Sequence, residues 1–244
     1  MKKTPPTIEL RSERIVMTIE LLAERIDYRL PGRGLGQTCR LLRTMAGKAV
    51  SESLEVQRPI IWLRAINILL VTTMVVVLAK IAFSYLHFED APDAFSMLEG
   101  IDAAISTIIY LGLLILFVFS LENRFKRRKV LAAVQEMRAL AHVIDMHQFA
   151  KDPERLVHRE LIVTEPGGTP QVDQLTPFLM GRYLDYCSEM LSLIGKVAAL
   201  YARNTQDAVV LAAVDEIETL TTGLSRKIWQ KIMILDQIVA GQSV

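Results

Sequence analysis

The sequence predicts an all-α protein: a two-helix transmembrane hairpin carrying a cytoplasmic helical bundle built from N-terminal and C-terminal amphipathic helices. Three observations carry that expectation. Two long stretches are almost free of charge, the cations cluster at one end of each, and the remaining periodicity is helical. The chain has 244 residues, 51% of them hydrophobic, and a mean hydropathy of +0.30, more apolar than an ordinary domain of this length.

Residues 1–58 open with an amphipathic helix. Ile8, Ile15, Ile19, Leu22 and Ile26 fall on one stripe at three- and four-residue spacing, and Arg11, Glu13, Arg14, Glu20, Glu24 and Arg25 lie elsewhere. Pro31 to Gly36 reads as a turn. A second, less periodic helix is expected from about Thr38 to Gln57, ending before Pro59, whose ring disfavours helix at the residue before it.

Residues 59–121 form the expected hairpin. The first span, about 65–86, carries one charge, Lys80, whose stem can lift its ammonium toward the interface. The second, about 103–121, is an uncharged run of 19 residues, AAISTIIYLGLLILFVFSL. At 1.5 Å per residue each run is long enough to cross roughly 30 Å of hydrocarbon. The outer loop, 87–102, contains Glu89, Asp90, Asp93, Glu99 and Asp102 and no Lys or Arg. Lys48, Arg58 and Arg64 precede the first span, and Arg124, Lys126, Arg127, Arg128 and Lys129 follow the second. Cations are retained on the cytoplasmic side, so both termini are expected inside, as in a bacterial inner membrane. Trp62 marks one interface, Tyr85 and Phe88 the other. The start of the chain lacks the pattern of a cleavable signal peptide.

Residues 122–244 complete the bundle. With no helix breaker after the second span, that helix should continue to about Phe149 with Val130, Val134, Met137, Ala141 and Ile144 as its apolar seam. Pro153, Pro166, Gly167, Gly168 and Pro170 make 151–177 a loop excursion with a short β-like run at 160–164. Thr176 and Pro177 then supply a capping side chain and a ring suited to the first helical position. The next stripe is Leu184, Cys187, Leu191, Ile194, Ala198 and Tyr201, with small residues at Gly181, Ser188, Ser192, Gly195 and Ala199 that let a neighbour approach. After a turn near Asn204 comes a coiled-coil-like pattern of Val210, Val214, Ile217, Thr221, Leu224 and Ile228. Beyond a break at Lys231 it resumes at Leu235.

The chemistry this excludes is broad. Twenty-eight Lys and Arg against 27 Asp and Glu give a net charge of +1, which offers no basic field for nucleic acid. Two cysteines, Cys39 and Cys187, read as free thiols. Metal-ligand types gather only at His142, Asp145, His147 and Asp152. His142 and Asp145 share a helix face and are the candidate metal pair, but His147 is rotated about 140° from His142 and Glu136 lacks the histidine a di-iron bundle requires. The carboxylates Asp185 and Glu189, and Asp215, Glu216 and Glu218, suit a solvated face. Ser188 and Cys187 have no histidine beside them in sequence. The Gly32–Gly36 stretch lacks the Lys and Ser/Thr of a P-loop, which leaves a helix-helix turn with lipid phosphate contact as a secondary option.

The expected function is therefore non-enzymatic and needs no cofactor. The hairpin anchors in a lipid bilayer and the helical bundle self-associates into a homo-oligomer or docks a cytoplasmic protein partner. The alternative is a homo-oligomeric ion channel or transporter made from several two-span subunits. Inside the spans the polar groups are Asn67, Thr72, Thr73, Ser106, Thr107, Tyr110 and Lys80, with no acid at the midplane to mark a cation path. Lys80 is expected to pair with Glu99 or Asp102 at the outer interface.

Overall fold

Helical hydrogen bonding accounts for all the regular structure among the described residues of the computed structural model, which are 11–57, 60–86, 94–149, 151, 153, 175–203 and 205–241. The protein is all-α there, with helices α1 (Ser12–Arg29), α2 (Gly34–Gln57), α3 (Ile61–Leu86), α4 (Ala94–Phe149), α5 (Pro177–Ala202) and α6 (Ala208–Gly241). The expectations for Ile8, Arg58, the 87–93 part of the outer loop, most of the 151–177 loop and Asn204 fall outside the described residues. The chain divides into two units, Met1–Glu55 with Val130–Val244, and Val56–Lys129.

In the first unit the apolar stripes become the core. α1 buries Ile15, Ile19, Leu22, Ala23 and Ile26, and its last turn closes with Leu30 N–H donating to Ile26 O at 2.8 Å. Gly32 then takes φ +73°, the left-handed conformation in which a Cβ would be strained. This turns the chain back, and α2 runs antiparallel to α1. The buried Cys39 sits against Ile19 O at 3.7 Å. Arg40 pairs with Asp27 at 2.5 Å and Arg43 with Glu20 at 2.7 Å. These ion pairs are about half exposed, so they fix register more than they add stability.

α2 begins at Gly34, four residues earlier than its sequence suggests, and its stripe is regular: Leu35, Thr38, Cys39, Leu42, Ala46, Ala49 and Glu52 are all buried. Four of these positions, Thr38, Ala46, Ala49 and Glu52, hold a polar or small side chain that carries little hydropathic signal. Two glycines in the first turn cost helix propensity of about 1 kcal/mol each, an amount that burial of Leu35 beside them offsets.

α5 is the central helix. It buries not one stripe but most of its circumference, including Met180, Tyr183, Tyr186, Met190, Leu193, Val197 and Leu200 beyond the expected set. Two neighbours explain this, because α1 and α6 both pack on it. Arg25 pairs with Glu189 at 2.6 Å and Arg29 donates to the Tyr186 hydroxyl at 3.2 Å, so α1 runs antiparallel to α5. Thr176 caps α5 by accepting from Leu179 N–H at 3.3 Å, with Pro177 in the first turn.

α6 buries Val210, Val214, Ile217, Thr221, Leu224, Ile228 and Leu235. Its start is capped by Asp207, whose Oδ1 accepts from Val209 and Val210 N–H at 3.0 and 3.2 Å. A Cβ on Gly195 would lie 3.4 Å from Thr221 Oγ1, which shows how closely the backbones of α5 and α6 approach. Lys231, which breaks the stripe in sequence, is part-buried here. Its Nζ donates to Gln148 O at 3.0 Å, satisfying a carbonyl in the last turn of α4 with a cation. The α4 seam Val130, Val134, Met137, Ala141 and Ile144 is likewise buried.

The second unit has the opposite surface. α3 and α4 each contain a window long and apolar enough to cross a membrane, and only 6% of each window is buried. Ile68, Leu69, Val75, Phe83, Leu113, Leu116 and Phe119 are among the large side chains left exposed.

Candidate membrane interface and polar clefts

The two apolar helices are joined at one end by a polar clasp. Glu122, one residue past the uncharged run of α4, turns its carboxylate onto the start of α3, where Ile60 N–H donates to Oε1 at 3.3 Å. Lys126, one turn further along α4, pairs with the same oxygen at 2.9 Å. Leu63, in the first turn of α3, and Val118, one turn before Glu122, are buried at 2% and 8% exposure. An acid suits the amino end of a helix, where unpaired N–H groups concentrate positive potential. Sequence reading assigned Glu122 no role, although an acid four residues before a lysine at the end of an apolar run is a legible signal.

The residues expected at the interface lie around this clasp. Trp62 is 59% exposed, Arg64 is exposed, Arg124 and Arg128 are exposed, and Lys126 and Arg127 are half-buried. Lys129 is exposed and Lys80 is exposed near the far end of α3. Arg127 and Lys129 each hold an interaction within the fold. Of the polar groups within the apolar windows, Thr72, Thr73 and Thr107 satisfy their hydroxyls on carbonyls one turn back at 2.8, 2.9 and 2.7 Å. Asn67 differs, because its Oδ1 is buried with no hydrogen-bond partner.

His142 and Asp145 diverge despite sharing a helix face. His142 lines a shallow cleft of about 460 Å³ with Arg138, Asp215, Glu216, Thr219 and Leu220, and Arg138 forms an ion pair with Glu216. Asp145 instead accepts from Gln148 Nε2 at 2.5 Å. Among the described residues no three His, Cys, Asp or Glu side chains gather as a metal would require.

His147 occupies a different place. It lies in a cleft of about 570 Å³ lined by Gly32, Arg33, Gly34, Val143, Met146, His147, Lys151 and Tyr183. Its Nε2 is 3.2 Å from Thr38 Oγ1. With the Thr38 hydroxyl donating to Gly34 O at 3.1 Å, the imidazole complements it as the tautomer with the proton on Nε2, and Nδ1 is then the nitrogen that titrates. Burial, and then the nearby Lys151 charge, hold the His147 pKa below its ordinary value.

The remaining titratable groups of note are buried. Tyr201 donates to Glu52 Oε2 at 2.8 Å, and burial together with that carboxylate pushes the phenol far above its usual range. Burial raises Cys39 and Cys187 to about 12, so neither is a thiolate at neutral pH, and both are free. Comparison of the chain with protein-family models, with curated proteins and with solved structures gave no match.

Proposed function

We propose that this is an integral membrane protein whose α3 and α4 form a transmembrane hairpin, anchoring a cytoplasmic helical bundle that self-associates or docks a partner protein. One observation carries the reading: two helices long enough to span a bilayer leave nearly all their apolar side chains uncovered. Each large aliphatic side chain left in water forgoes roughly 1.5–3 kcal/mol. A dozen such residues outweigh the whole stability of a typical domain, about 5–15 kcal/mol. Hydrocarbon around both helices removes that penalty.

The charge pattern supports an inside location for both termini. Arg64 and the 124–129 cluster flank the inner ends, and the acidic 87–102 segment lies between the spans. The intrahelical bonds of Thr72, Thr73 and Thr107 suit a medium without water, where each hydroxyl must be satisfied within the protein. Association is supported by apolar side chains that the bundle leaves bare on α6, among them Trp229 at 59% and Met233 at 60% exposure.

Extraction from membranes tests the anchor. The chain should stay with the vesicle pellet through high salt and alkaline carbonate and enter solution only with detergent. Release by carbonate alone would refute it. The mass of the detergent-solubilised particle tests association, with a dimer expected for an anchored docking bundle and a closed ring for several subunits surrounding a pore.

A further inference from the structure

We propose that the cleft between the α1–α2 turn and the end of α4 is a phosphate-binding site, taking the phosphoryl group of a soluble phosphate ester. Three basic side chains from separate places in the chain line it: Arg33 from the turn, His147 from α4 and Lys151 just after α4. Tyr183 of α5 forms part of the wall and holds Lys151 in place, with the ammonium 5.8 Å from its ring centroid. No carboxylate is among the described lining residues. The other cleft, at His142, contains Asp215 and Glu216 beside Arg138.

The shape suits a compact anion. At about 570 Å³ the cleft is roomy for a phosphoryl group with part of its ester. Gly32 and Gly34 place no side chain in it, and a Cβ on Gly34 would come within 3.0 Å of His147 Cε1. A planar guanidinium, an ammonium and an imidazole supply donors that match the several acceptor oxygens of one phosphoryl group better than the two of a carboxylate. Arg33, Lys151 and Tyr183 also have partners within the fold, and a bound phosphate would share them as anions commonly share arginine and lysine. The start of α2 adds to a field that the side chains already set.

The site is also linked to protons. Burial, and then the Lys151 charge, depress the His147 pKa, and an anion seated between His147 and Lys151 would offset that charge and favour the imidazolium. Binding should therefore be accompanied by proton uptake at His147 Nδ1 near and below pH 6.5. Among the described residues, those that line the cleft with His147 or bond it include Arg33 in the turn, Thr38 of α2, Lys151 after α4 and Tyr183 of α5, and no acid is among them.

Titration calorimetry on the full chain in a neutral detergent tests the proposal, using inorganic phosphate and glycerol phosphate as free probes. Nanodiscs with and without phosphatidic acid give the lipid arm. Saturable binding is expected, weakened about tenfold by Arg33→Gln and by Lys151→Gln and unchanged by Arg138→Gln, with circular dichroism confirming that each variant is folded. Binding in the free arm supports the soluble ester, and binding in the lipid arm alone would overturn that assignment. Repeating the titration with sulfate in two buffers of different ionisation heat should show proton uptake that His147→Gln abolishes. No saturable binding in either arm, or equal binding by all three charge variants, would overturn the proposal.

Discussion

At the scale of single residues, polar groups set the strongest constraints because they are few and buried. Tyr201 and Glu52 illustrate this. The hydroxyl is the donor that the buried Glu52 receives from α5, and removing it leaves part of that carboxylate's desolvation cost uncompensated. Tyr201→Phe is expected to lower stability by about 1–3 kcal/mol in denaturant titration of the helical signal, and Glu52→Gln in the same background should recover part of the loss. His147 gives a pH dependence. Its pKa is depressed in the folded chain, so below pH 6.5 the unfolded chain takes up a proton that the folded chain resists. Stability then falls as pH drops through that window and is level above it. The thermal midpoint should decline from pH 7.5 to 5.5, and His147→Gln should flatten the decline. Neither residue's partner was visible in sequence, since 149 positions separate Tyr201 from Glu52 and 109 separate His147 from Thr38.

At the scale of elements, hydropathic periodicity was a sound guide wherever large aliphatic side chains carry the stripe. The α6 set from Val210 to Leu235 and the α4 set from Val130 to Ile144 are buried as their spacing predicts. The pattern failed where burial does not depend on size or apolarity. α2 carries only a weak periodic signal because Thr38, Ala46, Ala49 and Glu52 form more than half of its inner face, and Gly34 and Gly36 disguise its first turn. Lys231 looked like an interruption, whereas it caps another helix. α5 looked like a one-sided helix because sequence gives no count of the neighbours a helix will meet. Its packing also yields a prediction. Ile217→Ala, at a fully buried α6 position, should cost about 2–5 kcal/mol, while Val209→Ala on the exposed side should stay within about 0.5 kcal/mol. Gly195→Leu should cost about 1–3 kcal/mol by wedging α5 from α6. Unfolding of these variants, read by circular dichroism, gives all three values.

For the whole molecule, the all-α class and the positions of the two apolar helices are legible in sequence, whereas the Ile60 partner of Glu122 and the cleft at His147 required the fold. The proposed orientation is open to direct measurement. Cys39 and Cys187 are buried thiols raised to about 12, so they give a silent background for maleimide labelling without being replaced. Asp90→Cys should react with an impermeant maleimide on intact cells. Thr222→Cys, at an exposed α6 position, should react only after the membrane is opened. The reverse pattern would invert the proposed topology.

The division of the chain also bears on its biosynthesis. The unit that contains α1 and α2 is interrupted in sequence, resuming only at Val130, and the surface that covers α1 belongs to α5, which starts at Pro177. At about 5–20 residues per second a ribosome needs roughly 7–30 s to make the stretch between Arg29 and that helix. For most of that interval Ile19, Leu22 and Ile26 have at most α2 beside them and lack the cover that α5 will give. Nascent chains arrested before Pro177 should therefore be more readily bound by holding chaperones, and more readily cleaved within α1, than chains arrested after Ala202.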